Sequence, residues 1–233
     1  MKLIHVQKAR AIWLFDWRDL NPRGKDVTED LIDWIKDSYQ FATAPDTQVA
    51  HLAVPTTSSA STGQAPEGLV FHRGHFQVRE ELFVEISSLS IFADGIVIDT
   101  PSSTHDADRF ARDLLESAAR EFTLSYDPDM VRRRMYVSEL IVRSELDLDF
   151  INQKLAAFAK RIGEAFKDGD KPDFRISGLS YWSEPNDSGR NKIFSFERQA
   201  GRAFQERRYY SQAPLQTDDH LQLLEELELS LMA

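Results

Sequence analysis

An α+β fold, with a largely antiparallel sheet and amphipathic helices packed mainly on one face, is what this sequence predicts. Three observations carry that expectation. Strand-like runs cluster at 69–98 and again at 174–210, with helices inserted between clusters rather than alternating one for one. Asp94-Gly95 sits between two apolar runs and supplies the positive-φ positions of a tight antiparallel hairpin. The glycine-rich strand-to-helix turn of a doubly wound α/β sheet is absent, which leaves that architecture as the lesser alternative.

In chain order, Ala11-Ile12-Trp13-Leu14-Phe15 reads as a buried strand, and the turn residues Asn21-Pro22 and Gly24 reverse the chain. Thr28 is placed to cap a helix running to Phe41, with Leu31, Ile32 and Ile35 inward. From 42 to 68, Ala, Thr, Ser, Pro and Gly dominate without any period, so this stretch is expected to be a linker or a long surface loop. The organisation that follows is an N-terminal strand–helix segment at 1–41, the linker at 42–68, and an α+β core domain at 69–233.

Within that core, strands are expected at 69–78, 82–92 and 96–98. Ala107, Phe110, Ala111, Leu114, Leu115, Ala118 and Phe122 recur at three and four, the stripe of an amphipathic helix. Asp127-Pro128 breaks it, and 135–142 is rich in β-favouring residues on both faces, as in a central strand. A second helix over 149–166 has the stripe Ile151, Leu155, Phe158, Ala159, Ile162 and Phe166. Strands at 174–182, 192–198 and 203–210 follow, then a terminal helix that Thr217 can cap, with Leu221, Leu224 and Leu231 inward.

Composition excludes several functions. With no cysteine there are no disulfides, thiolate zinc sites, iron–sulfur clusters or cysteine nucleophiles. The first ten residues lack the apolar core of a secretory signal, and no apolar run approaches the ~20 residues of a membrane span, so a cytoplasmic protein is expected. The net charge of −10 disfavours nucleic acid and anionic lipid as partners. Dinucleotide, P-loop, nucleophile-elbow and H-E-x-x-H motifs are all missing. Pro128-Asp129 and Pro172-Asp173 lack the Glu-x-Lys that nuclease chemistry of that pattern needs. No cofactor is expected.

Three constellations remain, besides a tryptophan cluster. His72 and His75, with His105, Asp106 and Asp108, are ligand types that a divalent metal accepts, and would suit a metal-dependent phosphohydrolase or nuclease. Against this, residues three apart on a strand point to opposite faces unless Gly74 distorts it, and acidic residues in a first helical turn complement the helix dipole. Ser102, Ser103 and Thr104 precede a helix, where free N–H groups can bind an anion or a hydroxyl can simply cap. The segment 190–208 holds six basic residues (Arg190, Lys192, Arg198, Arg202, Arg207, Arg208) against Glu197 and Glu206, a net of +4 that leaves −14 for the rest. Its interleaved Phe194, Phe196, Phe204, Tyr209 and Tyr210 admit three readings: a strand pair with ion-paired arginines, a protein interface anchored by Arg and Tyr, or a single-stranded nucleic-acid strip.

Trp13, Trp17 and Trp34 concentrate in a segment too small to bury them alone, so it docks on the core or on another chain. Together these features favour a non-catalytic interaction or assembly subunit. Its protein partner or homo-oligomer would meet Trp13, Trp17, Trp34, Arg198, Arg202, Arg207, Arg208, Tyr209 and Tyr210.

Overall fold

The computed structural model describes residues 1–23, 28–45, 68–166, 172–185 and 191–232. The fold is α+β. The described strands are β1 (Lys2–Leu14), β2 (Leu69–Arg79), β3 (Leu82–Phe92), β4 (Gly95–Thr100), β5 (Arg133–Arg143), β6 (Gly178–Trp182), β7 (Ile193–Arg198) and β8 (Arg208–Ala213). The described α-helices are α1 (Trp17–Leu20), α2 (Thr28–Ser38), α3 (Thr104–Phe122), α4 (Gln153–Glu164) and α5 (Thr217–Met232). Two compact units divide the chain, and they are interleaved along it. The first comprises Lys8–Ser138 with Leu215–Thr217, and the second Met1–Gln7, Glu139–Pro214 and Asp218–Ala233. β1 and β5 each contribute to both.

In the first unit the strand order is β2-β3-β4-β1-β5. β3 and β4 form the hairpin expected at Asp94-Gly95, with Ile91 opposite Ile96 and Phe92 opposite Gly95. Gly95 has φ +149°, and a Cβ there would stand 2.1 Å from the Trp13 carbonyl oxygen of the neighbouring β1. Both the turn and the close approach therefore require glycine. β1 pairs with β4 from Ala9–Thr100 to Leu14–Gly95, and Ala9, Ala11 and Trp13 alternate inward. The strand begins nine residues before the expected Ala11, because its first half carries no apolar alternation to read.

β2 and β3 stay in register past Arg73, yet their inward residues change parity there together. Phe71 gives way to Gly74 and Phe76 on β2, while Val84 and Ile86 give way to Leu89 and Ile91 on β3. Arg73 takes a left-handed φ of +55°, which re-aims the strand. The Phe41 ring fills the space over Gly74, where a Cβ would come within 2.5 Å of it. Residues 39–43 reach this point by a helix C-cap: Gln40 is left-handed and Phe41 N–H donates to the Lys36 carbonyl at 2.9 Å. That cap ends α2 at Ser38 rather than at the expected Phe41.

α2 and α3 cover one face of these strands. Leu31, Ile32 and Ile35 are buried, as are Ala107, Phe110, Ala111, Leu114, Leu115 and Ala118. Residues of 11–41 and of 71–118 share this core, so the N-terminal segment docks within its own chain. Of the 42–68 stretch only 42–45 and 68 belong to the described residues. Thr28 opens α2, but its capping side chain lies outside them.

Thr123 closes α3 in the left-handed region at φ +53°, an unfavourable place for a β-branched residue. Replacing Thr123 by Gly should raise stability by about 1 kcal/mol, a gain of several degrees in thermal midpoint. An unchanged or lowered midpoint would show that the cap carries no strain.

In the second unit the order is β5-β8-β7-β6, and β7 pairs antiparallel with both β8 and β6. Leu140, Val142, Leu146, Leu148, Phe196, Tyr209 and Leu224 form its core, with Leu3, Val6 and Leu221 packed around them. Leu231, expected inward on α5, is instead exposed. The strand expected at 203–210 is displaced. Phe204–Glu206 make a 3-10 turn, Arg207 turns left-handed at φ +49°, and β8 starts only at Arg208.

Candidate functional site

The five residues considered for a metal are not brought together. His72 and His75 both lie exposed on β2, a consequence of the parity change at Arg73. Asp106 accepts hydrogen bonds from the Ser102 and Ser103 hydroxyls. Asp108 accepts from Trp13 Nε1 at 2.7 Å and from the Tyr136 hydroxyl at 2.8 Å. His105 is exposed on the first turn of α3. Among the described residues, no three His, Asp or Glu are grouped to hold a metal ion.

The Ser102-Ser103-Thr104 site is filled from within the chain. Ser103 Oγ accepts from Asp106 N–H at 3.1 Å, and Thr104 N–H donates to Thr217 Oγ1 at 3.0 Å. Thr217 N–H returns a bond to Thr104 Oγ1 at 3.0 Å. The donors and hydroxyls read as an anion cradle are thus satisfied by the protein, and Asp106 places a carboxylate where an anion would sit.

The tryptophans behave as core. Trp13 is 0% exposed, and the Arg134 guanidinium lies 4.2 Å over its ring. Trp34 meets Tyr39 and Phe122 edge-on at 5.9 and 5.8 Å, and Trp17 is partly buried against the same core. Trp13 therefore cannot serve as the interface anchor expected of it. Tyr209 is likewise removed: it is fully buried, stacks on Phe196 at 4.6 Å and donates its hydroxyl to the Leu146 carbonyl at 2.6 Å. Burial raises its pKa.

What the basic segment does form is a cleft in the second unit. It encloses about 210 Å³ and is lined by Leu146, Asp147, Arg175, Arg198, Phe204, Gln205, Arg207 and Tyr209. Three local features build it. Asp147 caps a 3-10 turn at Leu148–Phe150 by accepting from Asp149 N–H at 3.1 Å. Asp149 in turn accepts from Ile176 N–H at 3.2 Å, tying the approach to β6 against that turn. The left-handed Arg207 then swings the chain from the Phe204 turn into β8.

Arg198, its side chain 10% exposed, donates from Nε to the Ile176 carbonyl at 2.9 Å and from Nη2 to Asp147 at 3.1 Å. Arg175 pairs with Asp173 at 3.0 Å and with Asp149 at 3.5 Å. Both guanidinium carbons lie over the Phe204 ring, at 5.2 and 5.1 Å. Arg207 donates from Nη1 to both the Glu145 carboxylate and the Glu145 carbonyl. Burial alone would raise the pKa of Asp147. The Asp149 N–H bond and the Arg198 bond and charge outweigh it and hold the carboxyl below its usual range.

Arg202 approaches Glu206 at 3.9 Å outside the cleft wall. Arg208 keeps a buried Nε without a partner among the described residues, as does the buried Gln199 Oε1. Tyr210 donates to Gln212 at 3.3 Å, and burial followed by the Glu139 carboxylate pushes its pKa up to about 12. Arg190 lies outside the described residues.

Two features went unread in the sequence. Arg175 lies outside the 190–208 segment, and only tertiary structure brings it to Arg198 and Phe204. The large apolar residues of the α4 stripe are mostly uncovered: Phe158 is 58% and Leu155 53% exposed, and Phe150 just before the helix is 80% exposed. Only Ala159 and Gly163 of that helix are buried. Trp182, at the end of β6, is 67% exposed.

No protein-family model matches the chain, and neither a curated protein nor a solved structure matches it. What fold and site define is an α+β protein with an arginine–aromatic cleft and, in the same unit, an exposed apolar helix face. Among the described residues no helix is long and apolar enough to cross a membrane.

Proposed function

We propose that this chain is a non-catalytic interaction or assembly subunit of a protein complex or homo-oligomer. One observation carries the reading: α4 is well formed and amphipathic, yet its large apolar residues Leu155 and Phe158 are more than half exposed. Asn152 caps the helix through bonds to the N–H groups of Lys154 and Leu155, so its start is specified rather than frayed. An apolar helix face without a cover is the usual geometry of a helix that meets another protein surface. The arginines and aromatics of the cleft in the same unit are the residue types that anchor such contacts.

The test is mass in solution, measured by light scattering over a range of concentrations and together with any co-purifying protein. The expected result is a species heavier than the 26.7 kDa chain. Replacing Leu155 and Phe158 together by Glu should return the species to monomer mass with an unchanged circular dichroism spectrum. A monomer at every concentration, with nothing co-purifying, would sink the reading.

A further inference from the structure

The uncovered face of α4 carries a charge signature of its own. Lys154, Lys160 and Arg161 stand against a single acid, Glu164, so the helix is +2 by count in a chain of −10. Lys154, Phe158 and Arg161 follow one another at intervals of four and three, which sets two cations along the edge of the exposed Leu155–Phe158 strip. Lys154, Lys160 and Arg161 are all exposed, and among the described residues none of them forms an ion pair. In the same unit, by contrast, Arg175, Arg198 and Arg207 are each held by carboxylates.

α5 belongs to the same unit and carries the opposite signature. It has five acidic residues and no lysine or arginine. Among the described residues, only Glu228 of the five pairs with a cation. His220 and Leu224 face the core, which leaves the other side of the helix outward. On that side Leu229 is 71% exposed, with the exposed Glu225 and Glu226 one turn before it.

We infer that the occupant of the α4 face is the outer side of α5 of a second copy of this chain. Leu155 and Phe158 of one copy cover Leu229 of the other, while Lys154 and Arg161 meet Glu225 and Glu226. An apolar centre with matched charges at its rim is the arrangement of a specific protein contact. Every copy exposes both patches in equal number, so copies of one chain can cover both without a second kind of protein. Neither patch suits its own twin, because α4 on α4 sets cation against cation and α5 on α5 sets acid against acid. The net charge of −10 opposes association of two copies, so the contact depends on these local pairs. The inference rests on the assembly reading and adds which surface covers α4.

Charge reversal in the full chain, read by light scattering over a concentration series, tests it. One variant combines Lys154→Glu with Arg161→Glu, the other Glu225→Lys with Glu226→Lys. All four positions are exposed, so both variants should keep the circular dichroism spectrum of the wild type. Each alone should raise the concentration of half-association by about tenfold or more, since like charges then face one another. An equimolar mixture of the two should regain the wild-type mass, because each helix again meets an opposite charge. One chain carrying all four substitutions should regain it for the same reason. Either variant associating alone like the wild type, or a mixture that stays as weak as its components, overturns the inference and leaves the assembly reading intact. A wild-type chain that associates only with a different protein does the same. A wild-type monomer at every concentration, with nothing co-purifying, removes both.

Discussion

Replacing Asp108 by Ala should cost about 3 kcal/mol of stability and expose Trp13 to quenching, because two donors lose a charged acceptor at once. Trp13 Nε1 and the Tyr136 hydroxyl both point at this carboxylate, from β1 and β5 respectively. Trp13 is completely buried, so water cannot replace the lost bond to its indole without opening the core. Asp108→Asn retains a single acceptor oxygen and should lose less. Tyr136→Phe alone should cost about 1–2 kcal/mol, and its effect should shrink in the Asp108→Ala background, since the two residues form one contact. Urea unfolding followed by tryptophan fluorescence measures the four variants against the wild type. A loss below about 0.5 kcal/mol for Asp108→Ala, the range of ordinary surface substitutions, would show that the carboxylate does not hold this part of the core.

The second large effect is acid sensitivity centred on His220. This side chain is fully buried beneath β8, its Nε2 lies 2.9 Å from Ser211 Oγ, and burial lowers its pKa to about 4. Ser211 Oγ donates to the Ser195 carbonyl at 2.7 Å and so accepts from His220 Nε2–H, while burial disfavours the charged ring. In the unfolded chain the same imidazole titrates near 6.5. Between these values the unfolded state binds the extra proton, so stability is complete above pH 6.5 and falls as pH drops toward 4. The total is about 3 kcal/mol across that window. Asp147 and Glu228, whose carboxyls are held below their usual range, add their own losses only at lower pH. His220→Gln should flatten the slope between pH 6.5 and 4.5 relative to the wild type. Equal slopes in the two chains would rule out His220 as the group responsible.

How much was legible depended on which physical signal each element carries. The stripe of α3 repeats at three and four over five turns, and a period that long can only be a helix with one buried face. The Asp94-Gly95 turn was equally readable, since glycine there answers both a backbone angle and the approach of Trp13. β8 was misplaced because Phe204, Tyr209 and Tyr210 carry β propensity on either side of a turn, and nothing local marks Arg207 as left-handed. Asp108 read as a metal ligand because a carboxylate's partners, here a tryptophan 95 residues earlier and a tyrosine 28 later, leave no trace in the local pattern. The same applies to Arg175 and the cleft.

The amino-acid order alone thus determined the fold class, the major helices, the Asp94-Gly95 hairpin, and the charge polarity between 190–208 and the rest. Those properties follow from neighbours along the chain, through periodicity, turn chemistry and composition. Tertiary structure decided which apolar faces are covered, which arginines share carboxylates, and which histidine is sealed from water. Periodicity says which residues share a face, not what lies against that face. So α3 and α4, alike in pattern, end with one stripe in the core and the other left largely uncovered at Leu155 and Phe158.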